Sequence, residues 1–246
     1  MGNINDIYFD GFYKEIWKTI IPDELTVKEV DFMVAHFGLQ PGSKVLDLMC
    51  GYGRHAIGLG RKGIHVTAID NLPDYTREIG EITAAENLPV KVFTQSILEP
   101  LPGDGYDLAI CMGNSLNFFN EQELSKIVPA ISAVLKKGSH LLINSWTIAE
   151  IVCKHFKENG WSQVGNIKFL TSSKFLFHPA RVETDSFMIA ADGVTETKKA
   201  VDYVYSLNET DRLLRSAGLT PVEEYSIPGR KKFTLGEPRI YIIAEK

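Results

Sequence analysis

VLDLMCGYG, at residues 45–53, is the stretch of sequence that decides the fold. The first residues of this stretch, with Lys44 before them, form a short apolar run that predicts a buried β-strand over 44–48. The Gly-Tyr-Gly turn follows this strand directly, and a helix of about two to three turns is predicted from there to Gly63, because glycine often ends a helix. A strand, a glycine turn and a helix in this order indicate an α/β domain that binds a ligand beside the turn.

Strands and helices keep alternating on both sides of this unit. Upstream, Val27, Val30, Val34 and Phe37 recur at helical spacing and predict a lead-in helix that stops at Gly38. Downstream, further strands are predicted over 65–69, 90–94, 106–112 and 140–145, with helices between them. Alternation of this kind is typical of a parallel sheet with helices on both faces.

The pattern changes after about residue 160. Three strand-like runs, 167–177, 182–191 and 194–205, follow one another without a helix. The dipeptide Asp192-Gly193 at the second junction is a strong hairpin signal. These runs therefore predict an antiparallel insertion of three strands beside the main sheet.

The C-terminal part returns to the main sheet. A helix is predicted from Asn208 to Gly218, and two strands follow over 221–227 and 239–244. The connection over 228–238 is too short for a crossover helix, so the last two strands should be antiparallel. The predicted fold is α/β, with a doubly wound, mostly parallel seven-stranded sheet that ends in an antiparallel strand pair and carries a small antiparallel β insertion.

Three parts are expected in such a chain. Residues 1–24 would form a lid segment, and residues 25–160 together with 206–246 would form the ligand-binding domain. Residues 161–205 would form the insertion, placed where it could cover a substrate.

Length, composition and net charge limit the classes of protein to which this chain can belong. The chain has 246 residues, of which 44% are hydrophobic, and this is enough for one domain with an insertion. The net charge of −5 gives no general attraction to polyanions, which disfavours a nucleic-acid partner. The three cysteines are far apart in sequence, and no uncharged apolar run reaches membrane-spanning length. These features indicate a cytoplasmic protein without a membrane partner, and they leave a homodimer open.

Two acidic residues at strand ends point to the chemistry of the ligand. Asp47 lies just before the glycines, where it would repel a pyrophosphate and hold an ammonium group. Asp70 ends the next strand and is placed to bind ribose hydroxyls. The run Gly51 to Ala56 also satisfies the dinucleotide fingerprint G-x-G-x-x-A, so an NAD(P)-dependent oxidoreductase stays an alternative. The closing antiparallel strand pair is unusual for that class.

These residues resemble the class I S-adenosylmethionine-dependent methyltransferases, over about residues 25–150 and 206–246. Residues 45–53 look like the first motif of that family, with Met49 in place of its first glycine. The resemblance implies that the backbone at Gly51 and Gly53 lies against the amino-acid part of the donor. It also implies that Asp47 binds the donor's amino group, directly or through water.

The later motifs of the family have counterparts too. Residues 66–70 resemble the second motif, whose final acid, here Asp70, accepts from both ribose hydroxyls. The third motif usually has an acid for the adenine amine, but Gln95-Ser96-Ile97 stands there, and Ser96 could accept instead. Residues 106–115 resemble the fourth strand and its exit loop beside the sulfonium. The resemblance implies these donor-binding residues: Asp47, Cys50, Gly51, Gly53, Asp70, Asn71, Ser96, Ile97, Met112 and Gly113.

The resemblance implies methyl transfer from S-adenosylmethionine to a nitrogen or oxygen of a small-molecule acceptor, with S-adenosylhomocysteine as the product. The donor is already activated, so neither a metal ion nor a covalent nucleophile is required. The antiparallel insertion adds a looser resemblance to small-molecule N-methyltransferases. A non-catalytic S-adenosylmethionine-binding regulatory protein remains a second alternative.

The candidates for contact with the acceptor are less specific. Asn114 follows the fourth strand, where the family places the methyl group, and Ser115 and Asn117 are its polar neighbours. His55 and His178 are candidate bases, but a histidine on the first turn of a helix or at a hairpin tip is often simply exposed to solvent. Two N-terminal phenols, Tyr8 and Tyr13, are further candidates.

Overall fold

A computed structural model describes residues 3–246, which contain an eight-stranded sheet and a separate four-stranded sheet. The helices are α1 (Phe12–Ile20), α2 (Asp23–His36), α3 (Arg54–Arg61), α4 (Pro73–Ala85), α5 (Glu121–Val134), α6 (Ala149–His155) and α7 (Leu207–Ser216). The strands are β1 (Lys44–Leu48), β2 (His65–Asp70), β3 (Val90–Thr94), β4 (Tyr106–Cys111), β5 (Leu135–Ser145), β6 (Asn159–Val164), β7 (Ile167–Phe177), β8 (Ala180–Ile189), β9 (Thr195–Tyr203), β10 (Thr220–Ile227), β11 (Lys231–Lys232) and β12 (Ile240–Glu245). Short 3₁₀ helices cover Ile4–Ile7 and Ser115–Phe118.

The eight-stranded sheet has the order β11-β10-β12-β5-β4-β1-β2-β3. β1 pairs in parallel with β2 on one side and with β4 on the other, so the strand order reverses at β1. β12 is antiparallel to both β5 and β10, as predicted for the chain ending. Ligands of open α/β sheets bind at the carboxyl ends of the strands where the order reverses. The end of β1 is therefore where the fold places its site.

The doubly wound, mostly parallel α/β fold predicted from the sequence is confirmed, with one addition to its seven strands. The connection between the last two predicted strands contains β11, a two-residue strand. Lys232 pairs with Tyr225 of β10, so the connection folds back as a short edge ribbon. An edge strand of two lysines carries no apolar pattern, which is why the sequence did not predict it.

The insertion is a four-stranded antiparallel sheet of order β6-β7-β8-β9, so the prediction of three strands was wrong. Helix α6 ends at His155, and the chain then forms β6, which the sequence analysis did not predict. β6 pairs with one neighbour only and is largely exposed; its one large apolar side chain, Trp161, is 76% exposed. An exposed edge strand lacks the apolar alternation from which strands are predicted.

The core of the domain lies on both faces of the large sheet. Leu46 and Leu48 of β1 point to the face covered by α5, whereas Val45 points to the face covered by α2 and α3. All three side chains are fully buried. Burial of one such side chain is worth about 1.5–3 kcal/mol, so this alternation fixes the register of β1 and the position of the turn after it.

None of the helices in residues 3–246 combines the length and the apolar character that a membrane span requires.

Candidate active site

A cavity of about 360 Å³ opens at the carboxyl ends of β1, β2 and β4. Its floor is the large sheet, and its other walls are the inner face of the four-stranded sheet and the N-terminal segment, residues 3–20. One half, the glycine-turn half, contains Asp47, Cys50, Gly51, Asp70, Asn71, Ser96, Ile97, Met112 and Gly113. The other half, the aromatic half, contains Tyr8, Phe9, Tyr13, Trp17, Phe118, Trp146, Phe169 and Asp202. The cavity thus has two chemically different ends.

The turn after β1 is built from residues in the left-handed backbone region. Met49, Gly51 and Gly53 have φ values of 52°, 56° and 76°. A Cβ atom added to Gly51 would meet nothing within 4 Å, whereas one added to Gly53 would lie 2.5 Å from Cγ1 of Ile79. Gly51 therefore exposes its backbone to the cavity, and Gly53 packs against α4. Of the predicted donor-binding residues, only Gly53 does not line the cavity.

Asp47 presents a buried acceptor to the cavity. Its side chain is 1% exposed, and its Oδ2 atom has no hydrogen-bond partner among residues 3–246. Burial raises the pKa of Asp47 to about 7, although Arg54 and the backbone amide of Ala56 oppose this shift. A buried carboxylate oxygen without a donor is costly unless a ligand supplies one. The site is therefore suited to an ammonium group at this position.

Asp70 lies across the glycine turn from Asp47 in the same cavity. Its Oδ2 accepts from the Gly51 amide at 2.8 Å, and its Oδ1 accepts from the Leu72 amide at 3.0 Å. Burial raises its pKa to about 6 against these hydrogen bonds. A carboxylate has about four lone-pair sites, so two remain for a diol. The turn amides fix the orientation in which Asp70 offers them.

The residues after β2 and β3 border the glycine-turn half. Ile97 is buried and provides an apolar surface. The Ser96 hydroxyl accepts from the Leu98 amide at 3.2 Å and so also shapes its own turn. Asn71 donates to Asp6 of the N-terminal segment at 2.6 Å. This last contact ties the N-terminal segment to the end of β2.

His55 lines the cavity but its ring is held by the protein. Its Nε2 atom lies 2.9 Å from Oε2 of Glu29, which also accepts from Arg54, and the Tyr241 hydroxyl donates to Oε1 of Glu29 at 2.6 Å. Burial by itself would raise the pKa of Glu29. The hydrogen bond and charge of His55, together with the charge of Arg54, outweigh burial and lower this pKa to about 2. Burial and then Arg54 lower the pKa of His55. This network fixes α2 to α3 and leaves His55 little freedom to reach a ligand.

Both the oxygen and the nitrogen of the Asn114 side-chain amide form hydrogen bonds within the protein. Its Oδ1 accepts from the Ser145 hydroxyl and from the backbone amides of Trp146 and Thr147, at 2.9–3.0 Å. Its Nδ2 donates to the Thr147 hydroxyl and to Oδ1 of Asp202, both at 2.8 Å. The residue predicted to touch the acceptor therefore holds another side chain in place.

The two other polar residues after β4 are also used internally. The Ser115 hydroxyl donates to the Met112 carbonyl at 2.9 Å. Asn117 accepts from Ser145 and donates to the carbonyls of Thr147 and Tyr203. These contacts join the exit loop of β4 to β5 and to the end of β9.

His178 lies in the turn between β7 and β8 and does not line the cavity. Arg181 donates to its backbone carbonyl at 3.2 Å, a contact within the turn itself. The structure therefore places His178 apart from the other candidate residues.

Sequence reasoning missed Asp202, on the inner face of β9. Asn114 is its hydrogen-bond donor among residues 3–246, and burial raises its pKa to about 7. Its charge acts on both Tyr8 and Tyr13, whose phenol pKa values are raised mainly by burial. Asp202 lies two positions after Ala200 and so on the same, inward face of the strand, and this spacing is the signal that could have identified it.

No three His, Cys, Asp or Glu side chains within residues 3–246 are placed to share a metal ion.

Comparison with known proteins gives a family match over part of the chain and structures of similar fold. Residues 45–138 match the family described as "Methyltransferase domain". An uncharacterized methyltransferase of Synechocystis is 31% identical over 104 residues, which are 42% of this chain and 47% of that protein, so the match spans about half the length of the relative. An S-adenosylmethionine-dependent methyltransferase from Clostridium acetobutylicum superimposes with a TM-score of 0.82 at 17% identity, covering 95% of this chain and 96% of the other. The family match is confined to residues 45–138, and the solved structure shares the fold over nearly the whole chain.

A second solved structure extends the likeness in fold to the insertion. An amino pentose methyltransferase from Micromonospora echinaspora, solved with S-adenosylmethionine bound, has a TM-score of 0.72 at 17% identity. That likeness covers 96% of this chain and 98% of the other, so it extends over the four-stranded sheet and the N-terminal segment as well as the large sheet. At 17% identity this likeness is evidence for a shared fold only.

Proposed function

We propose that this protein transfers the methyl group of S-adenosylmethionine to a nitrogen or oxygen of a small-molecule acceptor. The observation that carries the proposal is the pair Asp47 and Asp70 in one cavity, on either side of the exposed backbone of Gly51. The free Oδ2 of Asp47 suits an ammonium group, and the remaining acceptor sites of Asp70 suit a ribose diol. S-adenosylmethionine carries both groups, the ammonium on its amino-acid part and the diol on its ribose.

The residues of the chain then have distinct tasks. Asp47 and Asp70 would hold the amino-acid and ribose parts of the donor, and Ser96 and Ile97 would border its adenine. The donor, when bound, supplies an activated methyl group on sulfur. The aromatic half would exclude water and align the acceptor nucleophile with that methyl group. The N-terminal lid and the insertion would cover the acceptor, while residues 1 and 2 of the predicted lid lie outside the described residues.

Two features of the cavity argue against the oxidoreductase alternative. A pyrophosphate next to the glycine turn would meet the buried carboxylate of Asp47. Arg54, an arginine that lines the cavity, is already engaged by Glu29, and its side chain is 13% exposed. Adding reduced nicotinamide cofactor should therefore leave its fluorescence unchanged, whereas enhancement on binding would favour that alternative.

Isothermal titration with S-adenosylmethionine and S-adenosylhomocysteine tests the proposal. We expect both to bind, and we expect Asp70→Ala to weaken binding about 100-fold, as loss of charge-assisted hydrogen bonds predicts. Asp104→Ala, in the exposed loop before β4, is the matched control and should bind like the wild type. A folded wild-type protein that binds neither compound would refute the proposal.

Turnover separates an enzyme from a regulatory protein that only binds the donor. Incubation with S-adenosylmethionine and pools of amine and hydroxyl metabolites should yield S-adenosylhomocysteine. Donor binding without product in any pool would favour the regulatory alternative.

A further inference from the structure

Building on the proposed methyl transfer, we propose that the acceptor is an amine, that Asp202 binds its ammonium form and removes the proton, and that Asn114 is the positioning residue for Asp202.

Charge is the first argument for an amine. The acidic residues lining the cavity are Asp6, Asp47, Asp70 and Asp202, and the basic ones are Arg54 and His55. Both basic side chains are bound to Glu29, so they do not balance the acids. A carboxylate or phosphate acceptor would be repelled, and a neutral alcohol could donate a hydrogen bond to Asp202 but would bring no positive charge to balance the acids.

The aromatic half is the second argument. The ring centroids of Tyr8 and Tyr13 lie 4.6 Å apart, and those of Trp17 and Trp146 lie 5.6 Å apart. Tyr13 is also stacked on Trp17, with centroids 6.2 Å apart. Aromatic faces attract cations, and the attraction is stronger where water is excluded. A wall of rings with one carboxylate among them is a site for an ammonium group.

The geometry of Asp202 is the third argument. Asn114 donates to its Oδ1 atom at 2.8 Å and is itself held by three donors from residues 145–147. Asn114 directly follows Gly113, which lines the glycine-turn half of the cavity. The carboxylate of the aromatic half is therefore held by the loop that starts at Gly113 in the glycine-turn half, and the acceptor nitrogen would meet the methyl group beside this loop.

The reaction balances without another reactant. The acceptor ammonium gives one proton to the Asp202 carboxylate, which leaves a neutral nitrogen with a lone pair. That lone pair forms the N–C bond to the methyl carbon while the C–S bond breaks, and the electron pair of that bond stays on sulfur. The positive charge moves from sulfur to nitrogen, and Asp202 later releases its proton to solvent.

The groups around Asp202 determine how kcat/KM depends on pH. Tyr8 and Tyr13 face it from the N-terminal segment, and Asn114 faces it, uncharged, from the loop after β4. The remaining charged groups of the cavity are Asp6, Asp47, Asp70, Arg54 and His55. With its pKa at about 7, Asp202 can exchange a proton near neutral pH. In the wild type, kcat/KM should rise with pH up to about 7 and then level off.

The experiment measures S-adenosylhomocysteine formation with matched acceptor pairs: tyramine and tyrosol, glucosamine and glucose, ethanolamine and ethylene glycol. We expect turnover with an amine member and none with its hydroxyl partner. Asp202→Asn keeps the contact with Asn114 and should lower kcat/KM for the amine about 100-fold, the scale of general base catalysis. It should also remove the plateau near pH 7, and Asp202→Glu should restore part of the rate.

Controls separate this inference from the proposed function. Asp185→Asn alters an acid on the outer face of β8 that pairs with Lys199, and it should behave like the wild type. S-adenosylhomocysteine should bind Asp202→Asn as it binds the wild type, which shows that the variant is folded. Turnover confined to hydroxyl acceptors, or an Asp202→Asn variant with unchanged rate and pH profile, would overturn the inference while the donor site stands.

A binding measurement decides the case in which no acceptor of the panel is methylated. Choline and its neutral isostere 3,3-dimethylbutan-1-ol would be titrated into the complex with S-adenosylhomocysteine, with Trp17 and Trp146 as the fluorescent reporters. We expect choline to bind at least 10-fold more tightly, and we expect Asp202→Asn to remove this preference. Equal binding of the two compounds to the wild type would overturn the inference.

Discussion

Gly51 and Gly53 share a left-handed backbone but differ in what surrounds them. A side chain at either position is strained by about 1 kcal/mol or more. At Gly53 a methyl group would in addition collide with Ile79, and overpacking of this kind costs about 1–3 kcal/mol. We therefore expect Gly53→Ala to lower the free energy of unfolding more than Gly51→Ala does, as measured by urea denaturation.

The effect on donor affinity should have the opposite order. The added methyl group of Gly51→Ala would lie in the open part of the cavity, where the donor's amino-acid part is proposed to bind. We expect this variant to bind S-adenosylhomocysteine about 10-fold more weakly, the cost of a lost or displaced hydrogen bond. If Gly51→Ala bound normally and was as unstable as Gly53→Ala, the proposed position of the donor would be wrong.

Individual site residues could be predicted where a strand end determines their position. Asp47 and Asp70 lie at the ends of neighbouring parallel strands, and parallel strands bring their carboxyl ends to one edge of the sheet. Asp202 could not be predicted in this way, because its partner Asn114 is 88 positions away, in the loop after β4 of the large sheet. His55 was expected on an exposed first turn, but Glu29, 26 positions earlier, binds it in the core.

At the scale of elements, the N-terminal segment is attached to β9 by specific contacts. Asn5 is 3% exposed and pairs with both backbone groups of Val201, each at 2.9 Å, as a neighbouring strand would. Lys198 donates to the carbonyls of Ile7 and Asp10, both at 3.0 Å. The segment and the insertion therefore form one connected cover over the cavity.

The variant Asn5→Ala tests this attachment. It removes two hydrogen bonds and leaves the backbone groups of Val201 unpaired, so the cover should open more often. We expect amide hydrogen exchange to become about 10-fold faster or more in residues 4–20 and at Val201, with α5 unchanged. Asn208→Ala, on the exposed surface of α7, is the matched control. Unchanged exchange in the N-terminal segment would show that other contacts hold it.

The elements that could be predicted from the sequence are those whose burial leaves a periodic pattern. β1 and β4 are buried almost throughout and were predicted within a residue of their ends. β6 is exposed along nearly its whole length, so its pairing with β7 has no counterpart in the local sequence. The contacts of the N-terminal segment are likewise set by tertiary structure, since Asn5 and Val201 are 196 positions apart.

At the scale of the whole molecule, the acidic cavity makes stability depend on pH. Burial raises the pKa of Asp47, Asp70 and Asp202 to about 7, 6 and 7. Between about pH 4 and 7 the folded protein therefore binds more protons at these groups than the unfolded chain does, and their contribution to stability falls as pH rises. Glu29 acts in the opposite sense, but its pKa of about 2 places its effect below about pH 4.5.

Donor binding should restore part of the stability that is lost as pH rises, because an ammonium group beside Asp47 favours the ionised form of Asp47. We expect the free protein to unfold at a lower temperature at pH 7.5 than at pH 5.5, and S-adenosylhomocysteine to raise that temperature more at pH 7.5. Differential scanning calorimetry at both pH values, with ligand at a fixed multiple of its Kd, measures both effects. Asp47→Asn cannot ionise, so in this variant the pH dependence of both effects should shrink. An equal ligand-induced rise at both pH values in the wild type would show that Asp47 does not meet a positive charge in the bound state.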